Sequence, residues 1–222
     1  MTVFNSGRRR ILLLTKKHIL VQGENCQKNN EMSLGACIFS VDEDYEEFLL
    51  LVESCMVSFD FKVNCYCLVP RSYQLLIEVD EDMVEEALSW LNNAYTRYYN
   101  AIHTTSECML DRIVESIYIV DDSSILKLSR ELHNVPIDVK LTKSLKDYKW
   151  SSYNSYVRGV RDGITNSSQI LDCFNNDRRL YQKFVSGKMT SNDEKKLQLT
   201  LEQRKKEYRS KRGDEEGEAF LE

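Results

Sequence analysis

The chain has 222 residues, of which 42% are hydrophobic and 29% charged, a balance typical of a globular protein with a core of its own. The fully apolar runs, such as residues 11–14 and 48–52, have at most five residues and are far too short to cross a bilayer, which argues against a membrane protein. Seven scattered cysteines without a CxxC pair argue against a zinc site. We therefore expect reduced thiols and a cytoplasmic location.

The net charge of −5 conceals a strong polarity along the chain. Residues 42–86 carry 13 acidic side chains against two basic ones, a net charge of −11. Residues 141–212 carry 17 basic side chains against eight acidic ones, a net charge of +9, and residues 1–17 add five positive charges. A nucleic acid would meet these basic ends, because affinity for phosphate follows local charge. Solvated helix faces are the alternative explanation, and charge alone leaves both open.

Apolar spacing predicts four strands and three main helices. In chain order they are a strand at 18–21, a helix at 42–59, strands at 61–68 and 73–79, a helix at 82–102, a strand at 113–120 and a helix at 123–133. Pro70 separates the second and third strands, and Pro136 ends the third helical region. Helices that alternate with strand pairs indicate an α+β fold, a small antiparallel sheet with helices packed on it.

The remainder of the chain has a different character. Residues 150–186 have the pattern of short helices and turns, and the chain from 191 onward is charged and helical in pattern. The last ten residues are acidic and predict disorder. We therefore divide the chain into a basic segment (1–17), an α+β domain (18–160), a short helical extension (161–190) and a charged, partly helical to disordered tail (191–222).

Several sequence blocks together suggest a family. Residues 61–79 (FKVNCYCLVPRSYQLLIEV) read as strand, proline and strand, and they lie among blocks at 42–49 (DEDYEEFL), 91–100 (LNNAYTRYYN), 147–153 (DYKWSSY) and 181–185 (YQKFV). In this order the blocks resemble the REP-associated tyrosine transposases, single-tyrosine members of the HUH nuclease group, over about residues 18–186. The resemblance implies an HUH transposase-like fold with a ferredoxin-like layer, followed here by a helical C-terminal extension.

The family places two metal-binding histidines after the proline, on either side of an apolar residue. Alternate residues of a strand share a face, so both histidines reach one Mg²⁺ or Mn²⁺ ion that polarises the scissile phosphate. Here the three positions are Ser72, Tyr73 and Gln74. A hydroxyl and a neutral amide bind a divalent cation weakly. We therefore expect no metal and no cofactor in this chain.

The family's nucleophilic tyrosine lies in a helix-end segment resembling Tyr-Ile-His-Leu-Asn-Pro. Residues 131–136 (ELHNVP) align with it and place Glu131 at the tyrosine position. A carboxylate is a poor nucleophile toward a phosphodiester, and its charge repels the substrate. Acidic residues also enter at 107–114 (ECMLDRIV), where the family carries Gly-His-Leu-Phe-Gln-Gly-Arg-Phe. The chain thus resembles a nuclease, but Ser72, Gln74 and Glu131 are degenerate catalytic positions that predict loss of cleavage.

Other residues also permit a catalytic interpretation. Three tyrosines of the second helix would offer a substitute nucleophile, although aromatic side chains at helical spacing more often pack in a core: Tyr95, Tyr98 and Tyr99. Cys65 and Cys67 share a strand face, where small buried hydrophobes are favoured over a ligand pair. His133 lies two residues after Glu131, and side chains at that helical spacing do not face each other.

The basic segments predict DNA contacts. The candidates are Arg8, Arg9, Arg10, Lys16, Lys17, Arg97, Lys149 and Arg158, with residues 204–212 as a backbone clamp. The sequence thus favours a DNA-binding protein derived from a mobile-element transposase, a monomer or homodimer that binds single-stranded or hairpin DNA without cleaving it. One alternative is a protein-interaction or regulatory module, supported by the acidic stretch and by an acidic tail that folds back on the basic run. The other is an active transposase, performing DNA transposition with non-standard ligands.

Overall fold

The computed structural model describes residues 17–24, 37–103, 113–119 and 121–218, with the backbone alone for residues 17–24, 81, 113–119 and 208–218. The first part contains β1 (Lys17–Glu24), α1 (Asp42–Phe59), β2 (Lys62–Val69), β3 (Ser72–Val79), α2 (Val84–Ile102), β4 (Ile113–Ile119) and α3 (Asp122–Asp138). The second part contains α4 (Tyr153–Val157), α5 (Ser168–Asp172), α6 (Arg178–Val185) and α7 (Ser191–Glu218). The predicted α+β fold is confirmed. No helix in these ranges is long and apolar enough to cross a membrane.

The four strands form one antiparallel sheet in the order β2-β3-β1-β4. With two intervening helices this is the β-α-β-β-α-β arrangement of ferredoxin-like layers. In the register of β1 with β3, Ser72 lies opposite Glu24 and Gln74 lies opposite Gln22. The predicted small antiparallel sheet is therefore present, with β1 and β3 at its centre.

Helices cover both faces of the sheet, and β3 supplies side chains to each core in turn. Tyr73, Leu75 and Ile77 enter one core with Phe48 of α1 and Leu91 of α2. The alternate residue Leu76 enters a second core, which is built from α3 and the short helices that follow it. The period of two along a strand thus produces three layers: α1 and α2, the sheet, and α3 to α7.

A β-bulge in β2 decides which of its residues enter which core. The pairing passes from Val63 opposite Ile77 to Cys65 opposite Leu76, so Asn64 is an extra residue. Val63 therefore packs with α1 and α2, whereas Cys65 and Cys67 pack in the second core. Burial raises the pKa of both thiols to about 12. Both cysteines behave as small core hydrophobes.

The outer edge of β2 is covered by residues 147–153, one of the sequence blocks described above. The backbone N–H of Leu68 donates to the Trp150 carbonyl over 2.9 Å, and that of Ser152 donates to the Tyr66 carbonyl over 3.0 Å. Farther along the edge, the Asn166 N–H donates to the Val63 carbonyl over 2.7 Å. This edge therefore has no row of free backbone groups to recruit another strand.

Two helices extend farther than their sequences predict. Pro136 lies inside the last turn of α3, which ends at Asp138. Its ring is buried, and its carbonyl accepts from the N–H groups of Leu141 and Thr142 at 2.8 and 3.3 Å, so the chain turns after the proline. The other helix that is longer than predicted is α7, which continues to Glu218. Residues 213–218 are therefore helical, although their composition predicted disorder. Residues 219–222 lie outside the described part.

Candidate functional site

Ser72 and Gln74 occupy the same face of β3, as the period of the strand predicts. Both are half-buried, whereas Tyr73 between them is fully buried against α1 and α2. The Tyr73 hydroxyl donates to Oδ1 of Asn92 on α2 over 2.6 Å. Ser72 and Gln74 therefore lie on the sheet face that α3 covers, with the tyrosine directed away from it.

The donor set at these positions does not fit the Mg²⁺ or Mn²⁺ ion of the family. Ser72 offers a hydroxyl and Gln74 a neutral amide, and divalent cations of this kind prefer carboxylate oxygens. Across the described residues, no group of three or more His, Cys, Asp and Glu side chains could hold a metal ion. The described side chains of this face therefore do not support a metal-dependent step.

Glu131, the residue aligned with the nucleophile, lies on the exposed surface of α3. Its carboxylate is 3.8 Å from the Lys127 ammonium one turn earlier. The next two residues, Leu132 and His133, are buried. The side chains adjoining Glu131 along the helix are Leu128 and Val135, which are half-buried against the second core. A solvated carboxylate thus stands on the helix that covers Ser72 and Gln74.

On this side of the sheet, the described tyrosine side chains that lie wholly in the second core are Tyr153, Tyr156 and Tyr181. They are at most 3% exposed, and burial raises the pKa of each hydroxyl. Tyr148, at the β2 edge, is half-buried and donates to the Leu68 carbonyl over 2.7 Å. A nucleophile must reach a phosphate with an accessible hydroxyl, which none of these four offers.

The three tyrosines that the sequence offered as substitute nucleophiles belong to α2, on the opposite side of the sheet. Tyr95 and Tyr99 are buried in the core with α1, and Tyr98 is half-buried beside them. Core packing is therefore their role. The side chains of Tyr118 and Tyr208, and the acidic residues predicted at 107–112, lie outside the part that the structure describes.

His133 is the centre of a buried hydrogen-bond network that the sequence did not reveal. Its Nε2 is 2.9 Å from Ser152 Oγ, and its Nδ1 is 2.8 Å from the Tyr181 hydroxyl. The Tyr66 N–H donates to Ser152 Oγ, and the Tyr181 hydroxyl donates to Ser129 Oγ. A neutral imidazole has one N–H, so the ring donates to one of these two hydroxyls and accepts from the other; Ser152 Oγ also lies 3.3 Å from the Tyr66 carbonyl.

The network makes His133 a structural residue. Burial lowers the pKa of the imidazole to about 3, so the ring is neutral at physiological pH. It joins α3 to the strand-like segment on the β2 edge and to α6, and it does not face Glu131. The sequence feature that could have indicated this network is the serine pair in the block at 147–153, because Ser152 connects His133 to the sheet.

The structure describes the side chains of three of the predicted DNA contacts. Arg97 is exposed on α2, and Arg158 is exposed after α4. The Lys149 ammonium is 3.4 Å from Asp42 and 3.1 Å from Glu46 of α1. It also lies 4.1 Å from the centre of the Trp150 ring. The described contacts do not bring these three residues together. Lys17 is described by its backbone alone, and Arg8, Arg9, Arg10 and Lys16 lie outside the described residues.

Arg71 is a candidate that the sequence reasoning missed. It is exposed at the tip of the β2–β3 hairpin and directly precedes Ser72. Its position after Pro70 was visible in the sequence, but only the hairpin shows that it borders the face. Arg130 of α3 is a second basic residue on the side of Ser72 and Gln74. Its guanidinium, however, is already engaged with an aromatic ring, 5.7 Å from the centre of Phe184.

The sheet separates the two charged parts of the chain. Of the 13 acidic residues at 42–86, all except Asp60, Glu78 and Asp80 belong to α1, to α2 or to the short 3₁₀ turn before α2. These helices pack behind the sheet, on the side of Tyr73. Most of the basic stretch at 141–212 belongs to the elements that pack on the side of Ser72 and Gln74, although Lys149 pairs with Asp42 and Glu46 of α1 at the β2 edge. The layer on the side of Ser72 and Gln74 therefore contains most of the net positive stretch, and the layer behind the sheet contains most of the acidic one.

Comparison with known proteins supports this architecture. No protein-family model matches the sequence, and no curated protein matches it. Among solved structures, a REP-associated tyrosine transposase bound to a REP hairpin superposes with a TM-score of 0.52 at 12% identity, over 73% of this chain and 92% of that one. The chain has the fold of that transposase. The transposase fold thus confirms the architecture that the sequence blocks implied, while the low identity leaves the activity to be argued from the residues.

Proposed function

We propose that this protein is a DNA-binding module derived from the REP-associated tyrosine transposases, which binds single-stranded or hairpin DNA without cleaving it. The observation that carries the proposal is the separation of charge by the sheet. A phosphate backbone that approaches Ser72 and Gln74 meets the layer with the net positive stretch, and the acidic helices stand behind the sheet. Such a field favours association with a polyanion.

Loss of cleavage is the second part of the proposal, and it is supported by the chemistry of the site. Ser72 and Gln74 are poor ligands for a catalytic cation, and Glu131 stands where a tyrosine would attack. The tyrosines with described side chains on this side of the sheet are buried or, in Tyr148, bonded to the backbone. Bound DNA would therefore meet neither a metal ion nor an accessible tyrosine among these residues.

The regulatory alternative loses its two sequence-based supports. The acidic stretch belongs mainly to α1 and α2, across the sheet from Ser72 and Gln74. The acidic residues 214–218 continue along the axis of α7, and a continuous helix does not fold back on its own basic run. We retain DNA as the partner, with the protein acting in the cytoplasm as a monomer or homodimer.

The test compares Arg71, at the hairpin tip beside Ser72, with Arg97, which carries the same charge on α2 behind the sheet. Binding of labelled hairpin DNA is measured over a range of salt concentrations for the wild-type chain, Arg71→Gln and Arg97→Gln. We expect wild-type affinity to fall steeply with salt. Arg71→Gln should weaken binding several-fold and lower the slope of log affinity against log salt by about 1. Arg97→Gln should change neither quantity, because Arg97 stands on α2 in the acidic layer; the proposal therefore differs from the sequence-based expectation that Arg97 contacts DNA.

Two outcomes would contradict this proposal in different ways. Dependence of binding on Arg97 and not on Arg71 would move the DNA to the side of α1 and α2. No salt-sensitive binding by the wild-type chain at low ionic strength would remove DNA binding altogether. Both arginines are exposed, so neither substitution is expected to alter the fold, and the unfolding transition of each variant checks this.

A further inference from the structure

The helix α7 has two halves, and its described contacts with the rest of the protein lie in the first. Leu197 and Leu201 are buried in the second core, and Asn175 donates to Thr200 Oγ1 over 3.2 Å. At its start, Asp193 forms an ion pair with Lys183 at 3.0 Å. The last of these contacts is an ion pair of 3.0 Å between Arg204 and Asp122.

Beyond Arg204 the helix continues with its described side chains in solvent. Lys205, Lys206 and Glu207 are exposed, and their side chains form no ion pair or hydrogen bond with another described side chain. The backbone remains helical to Glu218. At a rise of 1.5 Å per residue, this second half extends about 21 Å past the Arg204 contact.

The composition of this half is costly for an isolated helix. Five of the eight residues at 205–212 (KKEYRSKR) are basic, and four of the five at 214–218 (DEEGE) are acidic; like charges one turn apart repel each other. Gly213 and Gly217 lower the helix propensity further. A bound polyanion would neutralise the repulsion. The contact at its base also fixes where the half begins, because Asp122 is the first residue of α3, the helix that covers Ser72 and Gln74.

We propose that the basic residues 205–212 of this half form an arm that binds the phosphate backbone of a nucleic acid, in addition to the part held at the Ser72 and Gln74 face. This inference rests on the proposed function, and it adds a second contact region to it. The arm recognises phosphate without reading bases, because a lysine ammonium acts on phosphate as a point charge. It therefore adds affinity for any sequence and leaves discrimination between sequences to the sheet face.

The experiment uses the full chain and two pairs of lysines on the same helix. Lys205→Gln/Lys206→Gln removes two charges from the arm, and Lys195→Gln/Lys196→Gln removes two from the docked half. The probes are a labelled hairpin DNA and a second hairpin of scrambled sequence. We expect the arm variant to bind both probes several-fold more weakly, with the salt slope lowered by about 1 for each lysine. The docked-half variant should retain most of the wild-type affinity and slope.

Any other outcome contradicts the proposal that the arm binds phosphate without reading bases. Unchanged binding by Lys205→Gln/Lys206→Gln shows that the arm makes no contact, and equal losses in both variants show a general effect of charge. A loss confined to one hairpin sequence would mean that these lysines read bases. If the wild-type chain binds neither hairpin, the proposed function fails, whereas wild-type binding that is insensitive to the arm variant leaves that function intact and removes only the arm.

Discussion

His133→Ala is expected to lower the free energy of unfolding by about 3 kcal/mol, the largest loss of stability that we predict for a single substitution in this chain. The imidazole is fully buried, and its removal leaves a cavity between α3, α6 and the segment on the β2 edge. It also deprives the Ser152 and Tyr181 hydroxyls of a partner. Denaturant unfolding followed by circular dichroism measures the change, with Glu131→Ala on the exposed face of the same helix as the control.

The same histidine predicts a pH dependence with a defined sign. Its pKa is lowered to about 3 in the folded protein, against about 6.5 in an unfolded chain. Between these values the unfolded state binds the proton and the folded state does not, so stability falls as the pH falls. From pH 7 to pH 5 this group alone should cost about 2 kcal/mol.

His133→Gln lacks the titrating group and serves as the reference for this pH dependence. The difference in unfolding free energy between the wild type and His133→Gln should shrink by about 2 kcal/mol between pH 7 and pH 5. A difference that stays constant with pH would show that the imidazole titrates alike in both states. That result would contradict the buried, neutral histidine.

Restoring the two histidines should restore a metal site. Ser72→His/Gln74→His places two imidazoles on one strand face at half-buried positions, the arrangement that the transposase resemblance implies. We expect Mn²⁺ to stabilise this variant by about 2.7 kcal/mol when the free metal is about 100 times its Kd. The wild-type chain should show no such stabilisation. Thermal unfolding with and without Mn²⁺ gives the measurement.

The single variant Gln74→His is the control for this gain, because one imidazole should bind the ion much more weakly than two. We expect cleavage to remain absent in the double variant, since Glu131 still stands where the resemblance implies the nucleophilic tyrosine. Failure of Mn²⁺ to stabilise Ser72→His/Gln74→His would mean that these residues do not correspond to the metal ligands of the family. The degenerate-site interpretation would then lose its basis.

The sequence predicted the secondary structure well where apolar spacing was regular. α1 has the predicted bounds, Asp42–Phe59, and the strands flanking Pro70 are within one residue of their predicted ends. The predicted end of α3 was wrong. A proline is tolerated in the last turn of this helix because its ring is buried and its carbonyl accepts from the N–H groups that follow. The packing of α7 against the second core was not predicted either, since only two of its leucines enter that core.

The site was predicted less completely than the fold, for a topological reason. The two-residue period of a β-strand predicted that Ser72 and Gln74 share one face, but the sequence could not say which helices pack on that face. The acidic stretch adjoins these residues along the chain, yet the crossing of α1 and α2 carries it behind the sheet. Arg71 became a candidate only once the hairpin placed it beside the face. The structure tests none of the predicted DNA contacts, so those at 8–10, 16, 17, 97, 149 and 158 stay predictions.

The measurement that tests the central claim most directly combines binding and cleavage. Labelled hairpin DNA is incubated with the wild-type chain in Mn²⁺ at low and moderate salt, and mobility shift and strand scission are read from the same samples. We predict a shift that weakens as salt increases, with intact DNA at every protein concentration. Scission in the presence of Mn²⁺ would contradict the loss of chemistry, and the absence of a shift at low salt would contradict DNA binding itself.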